Sequence, residues 1–265
     1  MKSVLKRIIR KINRTFLPQD EASIRRRTAM KEGRFLCFRK PPYVYRTNGI
    51  KAKFYLPYYR TDYIQQKILS ERNYYEAANL NYICKQWHNG HVGERLKGGQ
   101  ILDIGANIGN HTLFFFCECE IGYAHCFEPI ESTRKLLKRN LEINDLLDKV
   151  EIHPVAVGEK PANAEVDFYD SNNIGSTSLK VSQTGEIPIV CIDNIKFDKR
   201  IDLIKIDVEG FELQVLKGCI RTISTHLPYL MIEIRDEYLD EIKKLLMPLN
   251  YKVERLSGIN YFFYE

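Results

Sequence analysis

The stretch from Ile101 to Thr112, Ile-Leu-Asp-Ile-Gly-Ala-Asn-Ile-Gly-Asn-His-Thr, constrains this chain more than any other part of it. A short strand-forming run leads into a turn with glycines at 105 and 109, and helix-forming residues follow at once. Gly105 and Gly109 lack a Cβ, so the backbone can turn sharply and come close to a ligand. The N–H groups of a helix starting at Asn110 open on the same space. Strand, glycine turn and helix in that order form the opening unit of a parallel α/β sheet that binds ligands at its strand ends.

The rest of the chain agrees with that unit. From Gln100 onward, apolar strand runs alternate with helical patterns: Ile101–Ile104, a helix to Cys119, Ala124–Phe127, Glu131–Asn144 and Val150–Val157. A layer of short segments comes next, then Ile201–Ile206, a helix from Phe211 to Lys217 closed by Gly218, and Tyr229–Ile234. A helix over Glu237–Leu246 precedes Lys252–Leu256 and Tyr261–Tyr264, which read as a hairpin through Ser257-Gly258. Continuous Val/Ile/Leu strands between helices predict an α/β fold with a mostly parallel sheet covered on both faces. The hairpin predicts an antiparallel strand at one edge.

With 265 residues, 44% of them hydrophobic, the chain can bury one full catalytic core, expected over residues 98–265, with an extension over residues 1–97. Seven cysteines without paired spacing support neither a disulfide framework nor a zinc site, and imply reduced, cytoplasmic thiols. The Cys117-x-Cys119 pair turns to different faces of a helix, which favours packing over metal binding. The net charge of +6 is unevenly placed: residues 1–60 hold 17 Lys or Arg against 3 acidic residues. Within them Val4, Leu5, Ile8, Ile9, Ile12 and Phe16 recur at helical spacing opposite Lys6, Arg7, Arg10, Lys11 and Arg14. This predicts a basic amphipathic helix, lying either on an anionic membrane surface at the inner face or on its own domain. No signal peptide or spanning segment is read. Nucleic-acid binding by this arm, including Arg25-Arg26-Arg27, has no base-reading module behind it. Between Gly33 and Tyr82 tyrosines crowd together with turns at Pro41-Pro42 and Asn48-Gly49, predicting short strands and then a helix, with packing the main duty of the rings and stacking on an acceptor sugar the alternative, so that residues 1–97 are the expected acceptor side. A helix from Asn73 to His88 is expected to lead through Gly98-Gly99 into the first strand of the main sheet.

The turn itself reads D-x-G-x-N-x-G, with a carboxylate at the strand end and two glycines, where a pyrophosphate-binding fingerprint needs three. A cofactor with a cationic amino-acid end suits it, and S-adenosylmethionine fits that description. Asp103, Gly105, Ala106, Asn107, Gly109, Asn110 and Thr112 are the candidate cofactor residues of this turn. Glu128 ends the second strand 25 residues beyond Asp103, where a carboxylate accepts hydrogen bonds from ribose hydroxyls; as an isolated residue it would instead favour a helix start. Lys205, Asp207 and Glu209 share parity at the end of another strand, and Glu233 interrupts the apolar run Leu230–Ile234. Methylating an alcohol needs a general base or a metal, because a hydroxyl is a poor nucleophile. Asp207, Glu209 and Glu233 can remove the proton or hold a divalent ion, while Lys205 and Glu233 can equally form a supporting ion pair. His111 and His153 are further candidate bases, more readily read as structural.

With these residues assembled, the chain resembles the FkbM family of S-adenosylmethionine-dependent methyltransferases. The resemblance rests on Leu102–Thr112, Phe127-Glu128-Pro129, Pro154–Gly158, Gly175–Ser178 and Ile201–Glu212, in family order between about Gln100 and Ile234. It implies a class I methyltransferase fold, a seven-stranded Rossmann-like sheet with Asp103, Gly105, Asn107 and Gly109 at the methionine end of the cofactor and Glu128 at its ribose. It also implies O-methyl transfer to hydroxyls of glycans or natural products. Pro188–Asp193 departs from the family's Thr-Leu-Asp, with Cys191 and Ile192 in the first two places. The expected activity is methyl transfer to a hydroxyl of a saccharide precursor. Its rivals are an RNA methyltransferase, a nicotinamide oxidoreductase and a non-catalytic membrane-associated protein that keeps a cofactor pocket.

Overall fold

The computed structural model of the chain describes residues 35–37, 43–47 and 49–265. The basic amphipathic helix expected over Val4–Phe16 and the triplet Arg25–Arg27 lie outside them. Three short strands, β1 (Phe35–Cys37), β2 (Val44–Thr47) and β3 (Lys53–Tyr55), form an antiparallel sheet. Helix α1 (Tyr63–Glu71) follows, with Asp62 capping it by accepting from the Gln65 N–H.

The helix expected over Asn73–His88 is shorter and broken. Helix α2 covers Ala77–Asn81, a wide π turn runs over Tyr82–Gln86, and α3 covers His91–Leu96. The break has a local cause: His88, Asn89 and Gly90 all take positive φ, which stops helical propagation.

Seven strands build the main sheet: β4 (Gln100–Ile104), β5 (Tyr123–Phe127), β6 (Val150–His153), β11 (Ile201–Ile206), β12 (Tyr229–Glu233), β13 (Lys252–Ser257) and β14 (Asn260–Tyr264). Their order is β13-β14-β12-β11-β4-β5-β6, and β14 alone runs against the rest. This is the seven-stranded, mostly parallel sheet that the family resemblance implies, with the terminal hairpin at one edge.

The strand expected over Val150–Val157 is two strands in different sheets. Pro154 cannot donate to a ladder, and after it β7 (Ala156–Val157) joins β8 (Ala162–Phe168), β9 (Ser178–Val181) and β10 (Ile187–Val190) in a second sheet of order β7-β10-β8-β9.

Two cores lie on the two faces of the main sheet, as strand alternation requires. Ile101, Leu203, Met231 and Phe262 face one core with helices α4 (Asn110–Glu118) and α5 (Glu131–Glu142). Phe54, Tyr74, Leu80 and Trp87 from the N-terminal segment pack into that same core. Leu102, Ile104, Ile204, Ile206 and Leu230 face the other, against α6 (Glu212–Lys217), α7 (Ile220–His226) and α8 (Leu239–Leu246). Asp193, in the segment that departs from the family pattern, caps α7 by accepting from the Arg221 and Thr222 N–H groups. Cys117 and Cys119 serve packing: Cys119 meets Cys84 while Cys117 lies beside Tyr74.

Candidate active site

The carboxyl ends of β4, β5, β11 and β12 open into one cleft of about 1110 Å³, its mouth included. Gly105 and Asn107 form its floor. Phe127, Glu128 and Ile130 form one wall, and Asp207, Glu209 and Glu233 another. Tyr63, Ile64, Tyr75 and Glu76 close it from the N-terminal segment, opposite Asn173–Gly175 and the edge of the second sheet.

The turn after β4 is built for close approach. Gly105 has φ +78°, and a Cβ there would fall 1.8 Å from the Asp207 carbonyl oxygen, so only glycine fits. Asn107 also takes a left-handed conformation, φ +49°. Its N–H donates to Glu128 Oε2 at 3.0 Å, whereas its side-chain Oδ1 is buried without a hydrogen-bond partner. Gly175 packs against the same residue: a Cβ there would lie 2.8 Å from Asn107 Nδ2.

Glu128 receives two backbone N–H groups, from Asn107 and, at 2.9 Å, from Ile130. Burial nevertheless pushes its pKa up to about 7, against the lowering effect of those two bonds.

Five of the expected cofactor residues do not reach the cleft, and each has another duty. Asp103 is fully buried, accepting from the Thr112 hydroxyl at 2.5 Å and pairing with Lys205 Nζ at 3.3 Å. Thr112 is buried with it and also meets Cys126 Sγ. Ala106 donates its N–H to the Phe127 carbonyl, holding the turn to β5. Gly109 precedes α4 and packs on Leu137. Asn110 turns away from the ligand space: it accepts from the Tyr75 N–H and donates to the Tyr75 carbonyl, at 2.9 and 3.0 Å, clamping the N-terminal segment.

The four expected catalytic residues come together, with one behind the other three. Lys205 and Asp103 are register partners on β11 and β4. The buried Lys205 ammonium reaches Asp103 and Asp207, each at 3.3 Å, and donates to the Gly105 carbonyl at 2.6 Å. The alternative Lys205–Glu233 ion pair does not form: Lys205 is taken up by Asp103, Asp207 and the Gly105 carbonyl. Burial works to raise the Asp207 carboxyl, yet the Lys205 charge and a hydrogen bond from Glu233 prevail and hold it below the ordinary range. Glu233 is pushed up, first by burial and then by the Asp207 charge beside it. The two carboxyls are thus pushed in opposite directions and titrate as one interacting pair. Glu209, left-handed at φ +56°, is raised to about 7 by burial, then by Asp207 and Glu212. One oxygen of each of the three carboxyls lies within 4.8 Å of the others.

Neither histidine enters the cleft. His111 pairs with Glu76 at 3.3 Å, and His153 stacks on the Phe127 ring at 4.3 Å. Tyr63 and Tyr75 belong to the tyrosine-rich segment in which sugar stacking was the alternative to packing, but the density of tyrosines does not say which rings reach the strand ends, and Glu76 carried no signal of its own.

The profile of one protein family, described as the methyltransferase FkbM domain, matches residues 103–253. Among curated proteins, Methyltransferase 1 of Beauveria bassiana is 27% identical over 143 residues, covering 44% of this chain and 57% of its own length. Hexuronic acid methyltransferase AglP of Haloferax volcanii is 28% identical over 138 residues, covering 50% of this chain and 54% of its own. The chain thus spans little more than half the length of these relatives. A solved structure, methyltransferase FkbM from Methylobacillus flagellatus KT, is 25% identical with a TM-score of 0.46, covering 63% of this chain and 43% of that one.

Proposed function

The chain belongs to the FkbM methyltransferase domain family, and from that premise we propose that it transfers a methyl group from S-adenosylmethionine to a hydroxyl of a saccharide. The observation that carries this reading is the meeting of two sets of residues in one cleft: Gly105, Asn107 and Glu128 on one side, Asp207, Glu209 and Glu233 on the other.

The first set fits the cofactor. Asn107 Oδ1 is a buried acceptor without a partner, and Glu128 keeps acceptor capacity beyond its two backbone bonds, which suits ribose hydroxyls. The Gly105 turn leaves the space that a side chain would fill. When bound, the sulfonium of S-adenosylmethionine supplies an electrophilic methyl group. Glu128→Ala lowers affinity for S-adenosylmethionine about tenfold or more, read by calorimetry, since a hydrogen bond to a charged group is worth about 1.5–3 kcal/mol.

The second set divides its tasks by protonation. Asp207 stays ionised and Glu233 protonated, so together they orient a hydroxyl by accepting from it and donating to it. Glu209, poised near neutrality, takes the hydroxyl proton. Tyr63 and Tyr75, in edge-to-face contact at 6.2 Å, offer ring faces against which a sugar can stack. The hexuronic acid named for the Haloferax relative supports the same acceptor class.

The test is incubation of the full chain and labelled S-adenosylmethionine with fractionated saccharides and RNA. Label is expected in the saccharide fraction, reduced about 100-fold or more by Glu209→Gln while calorimetric cofactor affinity stays within about twofold. Label confined to RNA, or undiminished in E209Q, overturns the reading.

A further inference from the structure

Away from the carboxylates, on the outer strands of the main sheet, three side chains with metal-ligand chemistry face one point. His125 on β5 and Glu151 on β6 are register partners, and His153 follows two residues on, on the same face. We propose that His125, Glu151 and His153 form a three-ligand site for a divalent transition-metal ion, with zinc the ion best suited to the donors.

The distances carry this. His125 Nδ1 lies 3.1 Å from His153 Nε2 and 3.3 Å from Glu151 Oε2, and His153 Nε2 lies 3.9 Å from the same carboxylate oxygen. A tetrahedral zinc with bonds of about 2.0–2.2 Å holds its ligand atoms roughly 3.3–3.5 Å apart. The three atoms already stand near one face of such a tetrahedron. A proton shared between the imidazoles satisfies only one of the three contacts.

The rings are held by contacts that leave these nitrogens free to converge. His153 stacks on Phe127 at an interplanar angle of 10°, and His125 meets the edges of Tyr123 and Phe197 at centroid distances of 5.2 and 5.0 Å. The Glu151 side chain is 55% exposed, so an ion can enter from solvent and keep water in its fourth position.

Such an ion would staple the edge strand β6 to β5. It would also fix the ring behind Phe127, which forms a wall of the cleft. Two histidines and a glutamate separated as 125, 151 and 153 match no short sequence motif, and only the parallel register brings them together.

The experiment strips the full chain with a chelator and titrates it with zinc chloride, then with cobalt chloride. Tight binding of zinc at one site, a raised melting temperature and the intense visible bands of tetrahedral cobalt are expected. Glu151→Gln, a surface change that leaves the core intact, and His153→Gln should each weaken zinc binding about tenfold or more, whereas Asp207→Asn should leave this site filled. No zinc uptake at micromolar concentration, or uptake lost in D207N and retained in both E151Q and H153Q, overturns the proposal.

Discussion

At the residue scale, the site turns on one buried cation. Lys205 is 2% exposed and compensates two carboxylates, Asp103 and Asp207, on neighbouring strand ends. Breaking a buried pair from one side leaves charges unpaired in a low dielectric, which costs more than the intact pair contributes. Lys205→Met should therefore destabilise the fold by about 3–5 kcal/mol, measured by urea denaturation. A loss under about 1 kcal/mol would mean that the carboxylates find water or each other instead. The sequence placed Lys205 among the reacting groups because it shares strand parity with Asp207. Parity fixes the face of a sheet but not the depth along it, and Lys205 sits two residues before Asp207, buried behind the residues that line the cleft. The same limit applies to Asp103 and Thr112, which the turn's spacing marks as ligand contacts and which the structure buries against each other.

At the scale of elements, the most informative junction joins α5 to β3. Strand β3 ends its small sheet, and its outward backbone is met by Asn140 on the helix and Asn144 in the turn just past its end. Tyr55 N–H donates to Asn140 Oδ1 at 2.6 Å and Lys53 N–H to Asn144 Oδ1 at 2.8 Å, while Asn144 donates back to the Lys53 carbonyl. Asn140 is fully buried and also donates to the Ile108 carbonyl in the cofactor turn. Asn140→Ala leaves both groups unpaired and should cost about 2–4 kcal/mol in chemical denaturation, at roughly 1–3 kcal/mol for each buried orphan. The central strands and helices from Gln100 to Ile234 were legible, since apolar runs of strand length alternate with amphipathic helices. The α5–β3 junction was not, because Asn140 and Asn144 look like ordinary solvated positions of the helix expected over Glu131–Asn144, which ends at Glu142. The second sheet was also hidden: its strands are largely exposed, as Val166 and Phe168 on β8 show, so they carry little apolar alternation. Pro154, by contrast, was a visible break that the reading of one long strand passed over.

For the whole molecule, the cleft couples stability to pH. Glu128 and Glu209 have folded pKa values of about 7, raised from 4.5, so the folded state holds protons that the unfolded chain releases. Their contribution to stability is complete below pH 4.5 and is lost as pH rises through 7. His125 and His153, lowered from 6.5, give the opposite slope, so the informative quantity is a difference curve. Glu209→Gln should melt higher than the parent at pH 8 and nearly level with it at pH 5, in thermal scans across that range. Equal melting temperatures at both values would place Glu209 at its ordinary pKa and remove its claim as a base.

The Asn110 clamp on Tyr75 bears on how such a protein can be re-engineered. The side chain that opens the helix after the glycine turn holds the segment bearing Tyr75 and Glu76, and His111 beside it pairs with Glu76. The wall facing the acceptor and the loop facing the cofactor are thereby one mechanical piece. An exchange of residues 63–76 for those of a relative, made to redirect the choice of acceptor, would have to carry matching partners for positions 110 and 111, or the graft would loosen the cofactor loop while changing the wall.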